Sequence, residues 1–178
     1  MFSKFKNNYR LSNILIRIAL VLAYVLYTWH DILGNTQLVM QMYGSTLNIP
    51  YAYALVMAIF VSLAIGVAIM FIVPFVAGLF LNYSRIHNVP RAEFGLLANL
   101  FFTVYYVICG VFSLVNLYTP LLLTWGEKLV PFIVATGCVI GFYAVTKKLY
   151  FNNATALYYF RNLAIVYFVL AVLFGVVL

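Results

Sequence analysis

Long apolar stretches, separated by short polar connections, recur from one end of the chain to the other. No other feature limits the fold as much. A helix crossing a hydrocarbon core of about 30 Å needs about 20 mostly apolar residues. In lipid the backbone must also satisfy its own hydrogen bonds, which an α-helix does within a single segment. Five stretches are read as membrane-spanning helices: Ser12–Leu33, Tyr51–Leu81, Phe94–Tyr118, Leu129–Val145 and Leu157–Leu178. The second is long enough to tilt or kink. Pro74 within it removes a backbone donor, so a bend is expected near Met70. The fifth is wholly apolar only after Arg161, whose charged head is expected to snorkel to the interface.

Composition agrees with this reading. Of 178 residues, 67% are apolar and 7% are charged, against about 25% charged in an ordinary soluble domain. A water-soluble globular protein, a disordered segment and a nucleic-acid-binding domain are excluded. The chain reads as one all-α domain over residues 1–178, a polytopic transmembrane helical bundle. The net charge of +7 then belongs to topology and to anionic lipid headgroups. Lys4, Lys6 and Arg10 precede an apolar run from Leu11 to Leu33. That run exceeds the roughly 7–15 residues of a signal-peptide core, so it is read as a retained signal anchor.

Orientation follows from the basic residues. Nine of the ten Lys and Arg residues fall before or early in span one, between spans two and three, or between spans four and five, and only Lys128 lies on the other side. The positive-inside rule places the N-terminus in the cytoplasm and the C-terminus outside. A multi-pass protein of a prokaryotic inner membrane is expected. Tyr27, Trp29, Tyr118 and Trp125 fall near outer boundaries, and Tyr83, Tyr150, Tyr158 and Tyr159 near inner ones, where amphipathic rings favour the headgroup level. The sequons at Asn82 and Asn153 fall in cytoplasmic connections and are expected to stay unglycosylated. Gly34–Pro50 is read as an extended, uncharged outer loop that lies in the interface or folds back on the bundle.

Small residues four apart let helices approach closely. Ser62 and Gly66 in span two and Gly137 and Gly141 in span four have that spacing. A dimer face and contacts between helices of one chain are the two readings, and the second is favoured. Span three carries a mildly polar stripe through Asn99, Thr103, Tyr106, Gly110 and Ser113, at alternating spacings of four and three. It reads as a substrate or ion path, with His30 and Asp31 contributing at the outer end. Interhelical hydrogen bonding is the plainer reading. Arg85, His87 and Arg91 sit in a compact basic connection that suits lipid headgroups or a partner protein, or simply sets topology. Arg17, about one turn into span one, is expected to snorkel. Cys109 and Cys138 lie in apolar runs and read as small hydrophobes.

No enzyme motif is found, and the only carboxylates are Asp31, Glu93 and Glu127. No catalytic residue, metal site or cofactor is expected. His30 and His87 fall on opposite sides by topology, so they do not form a metal or bis-histidine haem site within one chain. The expected function is a non-catalytic subunit or scaffold of a larger membrane complex for secretion, respiration or transport. The alternative is a small transporter, channel or lipid-handling protein that uses the polar face of span three. The expected partners are membrane lipids and other membrane subunits or a second copy of the chain, with no nucleic acid.

Overall fold

The structure, a computed structural model, describes residues 9–47, 50–84, 86, 89–118, 124–151 and 153–177. These form six helices: α1 (Tyr9–Tyr27), α2 (Trp29–Leu47), α3 (Tyr51–Tyr83), α4 (Arg91–Tyr118), α5 (Thr124–Tyr150) and α6 (Asn153–Val177). Three of them, α3, α4 and α5, are long and apolar enough to cross a membrane, and the α1–α2 pair qualifies as a fourth, broken span. The expected fifth span lies on α6, where the side chains from residue 169 onward lie outside the described residues.

The first span differs from expectation. It is not one helix ending near Leu33, and the stretch from Gly34 is not an extended loop. α1 bends by 52° into α2, which continues to Leu47. The backbone ladder passes through the bend: Thr28 N donates to Tyr24 O (3.0 Å) and Ile32 N to Thr28 O (2.9 Å). Thr28 Oγ1 also donates to Tyr24 O, at 3.0 Å. A hydroxyl competing for a helical carbonyl is a known cause of bending. Gly34, Asn35, Thr36 and Gln37 dilute hydropathy without forbidding a helix, and the first proline after the bend is Pro50. Ile32 and Thr36, one turn apart, are both buried.

Side-chain pairings between helices fix their directions. Thr28 and Val21 of α1 meet Ser62 and Gly66 of α3, so these two helices are antiparallel. α3 and α4 are antiparallel as well, because Met70 meets Asn99 and Pro74 meets Gly95. Tyr24 meets Tyr106, and Leu26 meets Gly110, so α1 and α4 run parallel. Gly141 meets Phe101 and Tyr150 meets Glu93, so α5 runs antiparallel to α4, and Tyr143 meets Tyr159 while Thr136 meets Tyr167, so α6 runs antiparallel to α5. α4 is therefore the central helix, packed against α1, α3 and α5.

This arrangement brings the start of α1, the α3–α4 connection and the α5–α6 connection to one end of the bundle. That end is closed by an apolar cluster. Tyr159 is fully buried against Phe80, Phe94, Tyr143 and Phe151. Leu81, Ile86 and Val89 complete the cluster. Asn162 Nδ2 donates to Ser84 Oγ (3.3 Å), which ties α6 to the C-terminal cap of α3.

Candidate functional site

α3 has 33 residues, or about 50 Å at 1.5 Å per residue, and it is helical straight through Pro74. Proline lacks the N–H that would bond the carbonyl four residues back, so the oxygen of Met70 has no helical donor. α4 supplies one: Asn99 Nδ2 donates to Met70 O at 3.4 Å. One turn earlier on α4, a Cβ on Gly95 would lie 2.6 Å from Pro74 Cβ. The missing side chain at Gly95 lets the two backbones approach closely enough for the Asn99 amide to reach α3.

Thr103, Tyr106 and Gly110 of the expected polar stripe are also engaged within the bundle. Thr103 Oγ1 donates to Asn99 O (2.8 Å). The Tyr106 ring lies 5.3 Å from those of Tyr24, Tyr27 and Tyr105. Gly110 lies against Leu26 and the Tyr27 nitrogen, where an added Cβ would be 3.0 Å from each, so α4 seats the bend of the first span at this glycine. Ser113 is half-buried one turn further on. Asn99 itself is 1% exposed, and its Oδ1 has no hydrogen-bond partner among the described residues.

Arg17 belongs to the same layer. Arg17 and Asn99 each lie seven residues before the touching pair Tyr24 and Tyr106 on parallel helices. The Arg17 Nε is buried without a hydrogen-bond partner among the described residues. Its guanidinium carbon sits 5.8 Å from the centroid of the Phe71 ring on α3.

The remaining expected site residues are dispersed. His30 and Asp31 are exposed at the start of α2, and His30 Nδ1 lies 3.8 Å from Asp31 Oδ1. They reach each other although they are adjacent on a helix. Their helix end is opposite the closed end. Arg91 is exposed and donates through Nη2 to Asn82 Oδ1 (2.7 Å). Arg85 and His87 lie outside the described residues.

The two small-residue motifs behave differently. Ser62 Oγ lies 2.7 Å from Thr28 Oγ1, and a Cβ on Gly66 would be 3.3 Å from Val21 Cγ1. The Ser62–Gly66 pair thus joins α3 to α1. Gly141 faces the Phe101 ring of α4, whereas a Cβ on Gly137 would have nothing within 4 Å. Between α2 and α3 lies an open groove of about 330 Å³, lined by Thr36, Val39, Tyr53, Met57 and Val61 among others. Its wall is almost wholly apolar.

Sequence reasoning did not identify the Met70 carbonyl, the Pro74–Gly95 contact or the pairing of Thr28 with Ser62. Pro74 was the available signal for the first two, because a proline inside an apolar helix frees a carbonyl that some neighbour must satisfy. No family model matches the chain, and no curated protein or solved structure matches it either.

Proposed function

We propose that this chain is a non-catalytic subunit of a larger membrane assembly. It crosses the bilayer five times, with the start of α1 in the cytoplasm and the end of α6 outside. The supporting observation is the use made of α4's polar groups. Asn99 and Thr103 bond to helix backbone, and Tyr106 sits in an aromatic cluster. The stripe closes the α1–α3–α4 contact. The orientation draws support from the shared end of the bundle, where Arg91 at the start of α4 and Lys147 and Lys148 in the last turn of α5 lie.

α3 and α5 turn long apolar faces outward, including Phe60, Phe75, Phe132 and Ile140. These surfaces suit lipid or the helices of partner subunits equally well in chemistry. Purification in mild detergent followed by mass spectrometry tests the proposal. Other membrane chains are expected to co-purify in constant proportion. Recovery of a monodisperse, isolated chain with transport activity in vesicles would count against it.

A second reading, a small transporter or lipid-handling protein, is favoured by one observation, the buried and unpaired Asn99 Oδ1. An amide oxygen left unpaired in an apolar setting is costly and marks a place where a polar group can enter. On this reading Asn99→Leu abolishes flux while the protein still inserts. Unchanged flux removes the stripe from consideration.

A further inference from the structure

Arg17 carries a full positive charge inside the first span. It lies five residues beyond Ser12, where the span begins, or about 7.5 Å along the helix. A cation at such a depth needs an anion or water. The chain offers few anions, since its only side-chain carboxylates are Asp31, Glu93 and Glu127. Asp31 pairs with His30 on α2. Glu93 accepts from the Tyr150 hydroxyl at 3.3 Å. Glu127 is in the first turns of α5, a helix that does not pack against α1 among the described residues.

The position of the guanidinium shows where its partner must come from. Nε is buried, and the residue as a whole is half-buried. The guanidinium lies over Phe71, which is 58% exposed on the outer surface of α3. Its neighbours Ile14, Ile18, Ile72 and Phe75 are exposed and apolar. The open side of the site therefore faces lipid, and in lipid the available anion is a headgroup phosphate. A planar guanidinium matches phosphate oxygens in a two-pronged hydrogen bond. Asn13, one turn nearer the bundle end, is half-buried on the same helix face and lies along the path from headgroup level to Arg17.

We propose that Arg17, lying over Phe71 where α1 packs against α3, binds the phosphate of an anionic phospholipid drawn from the leaflet at the start of α1. The site is independent of whether the chain is a complex subunit or a transporter. Binding holds the lipid against both helices and gives the Arg17 guanidinium an anionic partner.

The test is native mass spectrometry of the full chain released from nanodiscs of mixed phosphatidylglycerol and phosphatidylcholine. The wild type is expected to retain phosphatidylglycerol preferentially. Arg17→Gln is expected to weaken that retention about tenfold, the loss of a charge-assisted pair, and Arg17→Lys to keep part of it. Phe71→Leu preserves the charge and removes the ring, so it is expected to give an intermediate loss. It carries the test if Arg17→Gln fails to insert. Lys148→Gln, at an exposed cation in the last turn of α5, is expected to leave retention unchanged. Equal retention by wild type and Arg17→Gln would overturn the proposal. So would a loss in Lys148→Gln as large as that in Arg17→Gln, or undiminished retention by Phe71→Leu where Arg17→Gln does not insert.

Discussion

The side-chain amide of Asn99 donates to the carbonyl oxygen of Met70 across 3.4 Å, and that oxygen is the one whose helical donor Pro74 lacks. A defect in one helix is thus answered by a polar group on another. The arrangement depends on Gly95, because only a residue without a side chain lets Pro74 approach α4 so closely.

This relationship predicts coupling between positions 74 and 99. Asn99→Leu should cost about 0.6–1.7 kcal/mol, the span of interhelical hydrogen bonds measured in membranes. Pro74→Ala restores an N–H to the Met70 carbonyl. In that background the cost of Asn99→Leu should fall, which a double-mutant cycle of unfolding in mixed micelles would read directly. Strict additivity would show that the Asn99 amide does not serve this carbonyl.

Glycine substitutions should separate by location. Gly95→Ala drives a methyl to 2.6 Å from the Pro74 ring, and a ring fused to its own backbone cannot swing away. Overpacking of this kind costs about 1–3 kcal/mol. A Cβ at Gly137 meets nothing within 4 Å. Gly137→Ala should change the stability of the isolated chain by no more than about 1 kcal/mol, in the stabilising direction, through helix propensity. Thermal unfolding of the two variants in one detergent compares them. If Gly137→Ala instead disrupts an assembly while leaving the chain stable, this face of α5 is a partner contact.

The bend of the first span should depend on hydroxyl pairing. Thr28 Oγ1 serves Tyr24 O and lies 2.7 Å from Ser62 Oγ. Thr28→Val keeps the shape and removes the hydroxyl, and Ser62→Ala removes its partner. Each is expected to lose about 0.6 kcal/mol or somewhat more, and the double variant less than their sum. Distances between spin labels on α1 and α2 should lengthen in Thr28→Val as the 52° bend relaxes. An unchanged distance would show that the bend is held by packing against α4 at Gly110.

The closed end should fail as a unit. Tyr159 is 0% exposed and touches rings from α3, α4 and α5 as well as Phe151. Tyr159→Ala is expected to cost about 3 kcal/mol or more, as large aromatic truncations do. It should also release the Asn162–Ser84 contact, so protease cleavage in the 84–90 connection should accelerate. Tyr159→Phe keeps the ring and should leave cleavage nearly unchanged.

Local composition determined much of this protein. The spans Tyr51–Leu81, Phe94–Tyr118 and Leu129–Val145 were legible from hydropathy, and the helices that contain them are Tyr51–Tyr83, Arg91–Tyr118 and Thr124–Tyr150. An apolar stretch in lipid has little choice but to satisfy its backbone as a helix, so length and composition suffice. The helix from Trp29 to Leu47 escaped notice because Gly34, Asn35, Thr36 and Gln37 lower hydropathy, while the periodic burial of Ile32 and Thr36 spans too few turns to stand out. Only the tertiary structure decided which helices meet. The Asn99 amide reads alike in sequence whether it faces a water path or the Met70 carbonyl, and Arg17 reads alike whether it snorkels freely or lies on Phe71. Periodicity identifies the face of a helix, but the neighbour that face meets depends on close approach between segments far apart in the chain, at Gly66, Gly95 and Gly110.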